Sequence, residues 1–158
     1  MAGYGFGMRW RQRLLLVAVL IAPGLSATAA TAKIVKVLPH LLDEKGRHTL
    51  SPSLYERDAY QAVLRRNLEK CSALRFDIKW KARFVDSTRL KLRIEVRGSQ
   101  TPKPLVLERF IERKASYNRW TSLTLDGDSY KKAGEIISWR ATLWDGDELL
   151  AGQKSFLW

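Results

Sequence analysis

The sequence contains one cysteine and two histidines among its 158 residues. A single cysteine excludes an internal disulfide framework, a four-cysteine zinc site and a CxxC redox motif. We expect Cys71 either to be a small buried side chain or to pair with a second chain. His40 and His48 flank a turn without the HExxH spacing of zinc enzymes, so we expect exposed loop histidines and no metal site. The length fits one globular domain, which excludes a multidomain enzyme.

Signatures of catalysis are also missing. The chain has neither a GxSxG nucleophile elbow nor a glycine-rich phosphate loop. Two Asp-Gly-Asp triplets, at 126–128 and 145–147, do not continue into a calcium-binding loop, and the need for glycine in a tight turn accounts for both. We therefore predict a protein that is not an enzyme and that has no cofactor.

Acidic residues are absent from residues 1–32, which have the three parts of a secretory signal peptide. Three arginines precede the apolar run Leu14–Ala22, and a tract of small residues follows it. Nine apolar residues are fewer than the roughly 20 that a membrane-spanning helix needs, which disfavours the alternative of an uncleaved anchor. We expect cleavage after Ala32 or after Ala29, export to the periplasm or the extracellular space, and one domain over residues 33–158.

Acids are few in the rest of the chain as well. The whole sequence has 28 Lys+Arg against 16 Asp+Glu, a formal net charge of +12. Without the three arginines of the predicted signal peptide, 25 cations against 16 acids leave +9 on the predicted domain. This excess indicates an anionic partner for the folded domain.

Hydrophobic patterning predicts seven β-strands. Most are short apolar or alternating runs bounded by turn residues, and Asp145-Gly146 is a hairpin signal between the last two. The predicted strands are Ile34–Leu38 (closed by Pro39), Leu74–Val85, Arg89–Arg97, Leu105–Ile111, Arg119–Leu125, Ile136–Trp144 and Leu149–Trp158.

One helix is predicted over Leu54–Arg66. Ser53 and Glu56 have the spacing of a capping box, and apolar residues then recur with helical periodicity from Leu54 to Val63. We expect the following polar residues on its outer face: Glu56, Arg57, Gln61, Arg65 and Arg66.

The late strands resemble those of immunoglobulin-like and fibronectin-III-like β-sandwiches. Trp139-x-Ala141-x-Leu143 follows a connection that contains Tyr130 and Gly134, and such a tyrosine often fixes the corner before a late strand in these folds. The resemblance covers Leu74–Trp158. It implies a mainly β protein, an antiparallel immunoglobulin-like sandwich with the helix inserted after its first strand.

Strict alternation over residues 75–97 predicts one buried and one exposed face. If the two strands form a hairpin with the loop Asp86–Thr88, like charges lie opposite each other near the turn. The resulting basic patch is the candidate ligand-binding site: Lys81, Arg83, Arg89, Lys91 and Arg93. Its partner would be an acidic glycan, anionic lipid or nucleic acid; the alternative is a merely solvated basic face.

Two tryptophans are candidate aromatic contacts. Trp120 and Trp144 share the parity of polar neighbours and are expected on the surface, where indole rings stack on sugars or are covered by other elements. Trp80 and Trp139 share the parity of apolar residues and are expected in the core.

Together these features predict an exported binding module that presents a basic sheet face to an anionic envelope or extracellular partner. The alternative is a structural or assembly protein of the envelope, in which the strand Leu149–Trp158 adds to a sheet of a partner protein.

Overall fold

The structure is a computed structural model that describes residues 1–2, 31–83, 89–111 and 119–158. Most of the predicted signal peptide and the predicted loop Asp86–Thr88 lie outside the described residues. Within the described residues, no helix combines the length and the apolar character needed to cross a membrane.

Seven strands and two α-helices make up the described part of the chain. The strands are β1 (Thr31–Asp43), β2 (Cys71–Arg83), β3 (Leu90–Gly98), β4 (Leu105–Phe110), β5 (Arg119–Asp126), β6 (Ile136–Asp145) and β7 (Glu148–Lys154). The helices are α1 (Leu54–Arg66) and α2 (Gly127–Ala133), and a short 3-10 turn spans Leu68–Lys70.

The strands form two antiparallel sheets, in the orders β1-β2-β5 and β4-β3-β6-β7. Lettered A to G along the chain, these sheets are ABE and DCFG. An immunoglobulin constant domain has ABED and CFG, so only the fourth strand differs in its sheet. The protein is therefore a mainly β, immunoglobulin-like sandwich, as the late strands indicated.

Alternating side chains of the two central strands form the core. Phe76, Ile78 and Trp80 of β2 are at most 1% exposed, and the even-numbered residues of β3 from Leu90 to Val96 are equally enclosed. The Phe76 ring lies edge-on to Trp139 of β6, 6.3 Å between centroids, so aromatic packing joins the two sheets. Each such buried side chain contributes about 1.5–3 kcal/mol of hydrophobic stabilisation.

The predicted hairpin between the second and third strands is wrong. β2 pairs with β1 and β5, whereas β3 pairs with β4 and β6 in the other sheet. The buried faces of β2 and β3 pack against each other across the core. The two strands do not lie side by side in one sheet. Alternation alone is satisfied by both arrangements, because it specifies which side of a strand is buried and not which strand is its neighbour.

Helix α1 has the predicted bounds, and Glu56, Arg65 and Arg66 of its predicted outer face are exposed, but the side that packs inward is not the one expected. Its inner face carries Tyr60, Gln61 and Leu64, whereas Tyr55 is 84% and Val63 49% exposed. Gln61, predicted to be outside, is 3% exposed and bonds to β1 and the following loop. Its amide accepts from Leu41 N (2.9 Å) and donates to Leu41 O (2.9 Å) and His48 O (2.8 Å). β1 is an edge strand, so its backbone groups on the side away from β2 need other hydrogen-bond partners. The polar face of α1 supplies them.

Smaller departures occur at the ends of elements. β1 continues through Pro39, which a sheet edge tolerates because not every N–H there has a ladder partner. Ser53 precedes α1 as predicted but makes no side-chain cap bond. The predicted turn at residues 126–128 continues into α2, and the last strand ends at Lys154.

Candidate functional site

The five cations of the predicted basic patch do not form one surface. Lys81 and Arg83 project from β2, whereas Lys91 and Arg93 project from β3 in the other sheet, and Arg89 immediately precedes β3. Their outward faces lie on opposite sides of the sandwich. The patch was assembled from the wrong strand pairing, and its separation follows directly from the observed topology.

The two β3 cations are paired with acids. Lys91 Nζ lies 3.1 Å from Glu108 Oε1 on β4. Arg93 contacts Glu95 Oε1 at 3.2 Å and Glu108 Oε1 at 3.7 Å. Because β3 and β4 both supply carboxylates, this outer face is a mixed charge network in which Lys91 and Arg93 are paired. Arg97, on the same strand, forms no ion pair among the described residues and lies 4.2 Å from the centroid of the Trp158 ring.

Arg89 and Trp144, at the end of this face nearest the turn between β6 and β7, also have partners within the fold. Arg89 Nε lies 3.3 Å from Asp145 Oδ1. The Trp144 indole N–H donates to Thr142 Oγ1 at 2.9 Å, and the ring is half-buried. Of the two candidate aromatic contacts, Trp144 therefore lies with the neutralised cations.

The outer face of the opposite sheet carries a group of cations that no acid pairs in the described part of the chain. In the register of β1 and β2, Lys33 lies opposite Lys81 and Lys36 lies opposite Lys79. Arg83 continues the β2 row. Among the described residues, none of these five cations takes part in an ion pair. We call the surface made by these five cations and Trp120 the lysine face.

Trp120 completes one row of the lysine face. The row crosses three strands, from Lys36 through Lys79 to Trp120, with about 4.8 Å between neighbouring strands. Lys79 Nζ lies 5.8 Å from the centroid of the indole ring, within range of a cation–π interaction. Trp120 is 49% exposed, so one aromatic surface remains accessible beside two lysines.

Sequence reasoning missed Lys33, Lys36 and Lys79 as members of the site. In a hairpin of the second and third strands with the loop Asp86–Thr88, Lys79 would lie opposite Glu95 and its charge would be compensated. Lys33 and Lys36 are three residues apart, which puts them on opposite faces of a regular strand, but a bulge between Ile34 and Lys36 turns both outward. The odd spacing of two lysines in a short strand was the available signal.

A polar cluster bounds the lysine face on the side toward β1's carboxyl end. Asp77 accepts a hydrogen bond from Ser122 Oγ at 2.6 Å and pairs with Arg75 at 3.0 Å. His40 Nε2 lies 3.6 Å from the same carboxylate, and the His40 ring lies 5.1 Å from that of His48. The carboxylate lies between hydroxyl and imidazole, which differs from the order of a catalytic triad, where the imidazole is central.

Neither histidine is the exposed loop residue expected, since His48 lies in a loop but is half-buried. His40 lies within β1 and is 7% exposed. Burial lowers its pKa, with Asp77 opposing and the neighbouring cations and His48 reinforcing the effect. Within the described residues, no group of three or more His, Cys, Asp or Glu side chains is arranged to hold a metal ion.

Fold and site together define an immunoglobulin-like sandwich with a cationic outer face on one sheet and a mixed charge network on the other. No family model and no curated protein matches the chain. Among solved structures it is similar to an immunoglobulin-like protein (PA1606) from Pseudomonas aeruginosa, at 13% sequence identity and a TM-score of 0.36. That similarity covers 78% of this chain and 93% of the other.

Proposed function

We propose that the protein is an exported, non-enzymatic binding module and that its lysine face binds an anionic polymer. The observation that supports this most directly is the pairing of like charges, Lys33 with Lys81 and Lys36 with Lys79. Like charges directly opposite each other destabilise a sheet. A polyanion lying across the strands would supply the missing counter-charges.

The shape of the lysine face favours an acidic glycan over the other anionic partners. Successive outward residues of one strand are about 7 Å apart, so the cations form a flat ladder three rows long. Trp120 ends one row and offers an indole surface on which the apolar side of a sugar ring stacks, while Lys79 and Lys36 reach an acidic substituent. A lipid surface or duplex nucleic acid needs the cations but not this adjacent ring, and the competition experiment below distinguishes single-stranded nucleic acid, whose bases also stack on aromatic rings.

Export rests on the signal-peptide pattern of residues 1–32. An exported domain of this kind meets acidic polysaccharides outside the cytoplasm, where a net positive charge accelerates association and makes binding dependent on salt.

A column experiment tests the lysine face. We expect the wild-type domain to be retained on heparin at moderate salt and the quadruple variant Lys33→Glu, Lys36→Glu, Lys79→Glu, Lys81→Glu to elute early. The matched control reverses four exposed cations elsewhere: Lys45, Lys70, Lys103 and Lys132. It has the same net charge and should elute close to wild type; equal elution of the two variants would show that total charge, and not the lysine face, governs retention.

The partner class is then separated by competition. A soluble acidic oligosaccharide should displace the bound protein, and Trp120→Ala should weaken that interaction by about tenfold, the loss of one aromatic stacking contact. Displacement only by single-stranded DNA, or binding only to vesicles of anionic lipid, would overturn the glycan assignment in favour of those partners.

Strand addition is the competing proposal. β7 is the outermost strand of its sheet, and Leu149 on it is 54% exposed. A concentration-dependent dimer, or a partner protein lost on deletion of residues 153–158, would support an assembly role. A monomer at all concentrations that still binds glycan favours the lysine face.

A further inference from the structure

A cleft of about 760 Å³ opens between the two sheets, and no residue of the lysine face lines it. Its apolar walls come from both sheets and from the 3-10 turn after α1: Leu41, Leu68, Leu74, Ile136, Ile137 and Trp139. Its size lies within the range of sites that enclose a small ligand.

The cleft exists because β7 does not run the full length of β6. β7 pairs with β6 only from Arg140 to Asp145, so the first four residues of β6 have no β7 strand beside them. Ile137 in this stretch is 50% exposed, and Leu68 of the 3-10 turn is 43% exposed. Apolar side chains from separate elements therefore face water around one opening.

Several polar groups in the wall have partners within the fold, whereas the buried Ser138 hydroxyl has none among the described residues. Trp139 N donates to Ser155 Oγ at 3.0 Å, and Trp139 O accepts from Ser155 N at 2.9 Å. The Cys71 thiol donates to Leu64 O at 3.6 Å, and it also shares a hydrogen bond with the Tyr130 hydroxyl. Burial, with the neighbouring thiol, raises the pKa of Tyr130 to about 12, so this hydroxyl stays neutral.

These bonds decide between two kinds of occupant. An added peptide strand needs free backbone donors and acceptors, and both backbone groups of Trp139 are taken by Ser155. A hydrocarbon chain needs none, and it gains from covering Ile137 and Leu68.

The mouth of the cleft carries charges of both signs in equal number. Arg65 and Glu69 come from α1 and the 3-10 turn after it, and Lys131 and Glu135 come from α2 and the residues just after it. All four are exposed, and within the described residues none takes part in an ion pair. A head group that carries one positive and one negative charge complements this mouth; a purely anionic or uncharged head group does not.

We propose that the cleft binds the hydrocarbon chain of a zwitterionic, single-chain amphiphile such as a lysophospholipid, with the head group held at the charged mouth. This site is separate from the lysine face and does not depend on the proposed glycan binding.

The test uses three amphiphiles with the same dodecyl chain, each below its micelle concentration. We expect dodecylphosphocholine to bind the full domain saturably at one site by calorimetry, and laurate and dodecyl maltoside to bind about tenfold more weakly. Binding should also slow alkylation of Cys71, the only cysteine of the chain, by N-ethylmaleimide. Absence of saturable binding, or equal affinity for the three head groups, would overturn the proposal.

Paired variants locate the bound chain. Ile137→Ser should weaken dodecylphosphocholine binding by about tenfold because it removes apolar wall area, whereas Val106→Ser, 45% exposed on β4, should not. Arg65→Ser should also weaken dodecylphosphocholine binding. Its control is Arg66→Ser, at the next residue and outside the cleft, which should leave binding unchanged. An equal effect of a variant and its control would contradict this location. Retained binding by the quadruple lysine variant would separate this site from the lysine face.

Discussion

Lys33 of β1 lies directly opposite Lys81 of β2, on the outward face of the β1-β2-β5 sheet. Both side chains are exposed, and neither forms an ion pair with an acid among the described residues. The next outward pair toward β1's carboxyl end, Lys36 and Lys79, repeats the arrangement. Two successive like-charge pairs oppose folding, and their presence is explained if the surface binds an anion.

Replacing one lysine of a pair by an acid should therefore stabilise the domain while weakening its binding. Lys33→Glu creates an opposite-charge pair with Lys81, and we expect the free energy of unfolding to rise by about 0.5 kcal/mol. Urea denaturation measures this change, with Lys132→Glu as the control for net charge. A fall in stability for Lys33→Glu would argue against the register and against the strain assigned to the lysine face.

Asp43 should make stability depend on acid pH. Its side chain accepts hydrogen bonds from Arg47 N (2.8 Å) and Lys45 N (2.9 Å), from the Arg47 guanidinium, and from the Tyr60 hydroxyl (2.8 Å). Burial acts to raise the pKa of Asp43, but these bonds outweigh it and lower the pKa from 3.8 to about 2. A lowered folded-state pKa stabilises the fold above the unfolded value, and the stabilisation is lost as pH falls toward 2.

Asp43→Asn should reduce this pH dependence. The variant cannot ionise, so its unfolding free energy should change less than that of wild type between pH about 5 and about 2, and at neutral pH it should be less stable by roughly 1–2 kcal/mol. Asp58→Asn, on an exposed side chain, is the control. Parallel pH curves for wild type and Asp43→Asn would contradict the role of this carboxylate.

Gln61 tests the orientation of α1. The Gln61 amide contacts three backbone groups, so Gln61→Ala should cost about 2–3 kcal/mol through unsatisfied groups on β1 and its loop. Tyr55→Ala, at a residue that is 84% exposed, should change stability by less than about 0.5 kcal/mol. Thermal or urea unfolding of the two variants distinguishes them, and the reverse ranking would restore the orientation predicted from the apolar residues.

The start of β1 bears on signal-peptide cleavage. β1 begins at Thr31, and both Thr31 and Ala32 pair with β2. Cleavage after Ala29 leaves every described residue of β1 in place, whereas cleavage after Ala32 removes Thr31 and Ala32. We expect the exported protein to begin at Ala30, as measured by intact mass. A first residue at Lys33 would show that these two pairs are dispensable, and retention of residues 1–29 would contradict cleavage.

The sequence predicted most strands because alternation records directly which side chains are buried. The pattern from Cys71 to Arg83 shows this, since its even-numbered residues from Leu74 onward fill the core. The pairing of the strands could not be predicted, because the alternation of β2 and β3 fits two strands of one sheet as well as two strands in facing sheets. The bounds of α1 could be predicted from local signals. Its inward side could not, because the hydrogen bonds that β1 requires place Gln61 there, where the sequence pattern predicted apolar side chains.

The candidate site could be predicted only in part. The excess of cations could be predicted from composition, and the exposure of Trp120 from the alternation of its strand. The grouping of Lys33 and Lys36 with Lys79 was not, because it depends on a bulge at residue 35 and on pairing between strands that are far apart in the sequence.

The most direct test of the central claim is a nuclear magnetic resonance titration of the labelled domain with an acidic oligosaccharide. We expect the amide signals of β1 and β2 near Lys36 and Lys79, together with the indole N–H signal of Trp120, to shift progressively and saturate. Signals around Lys91 and Arg93, on the other sheet, should stay in place. Shifts confined to that second sheet, or none on either face, would contradict the assignment of binding to the lysine face.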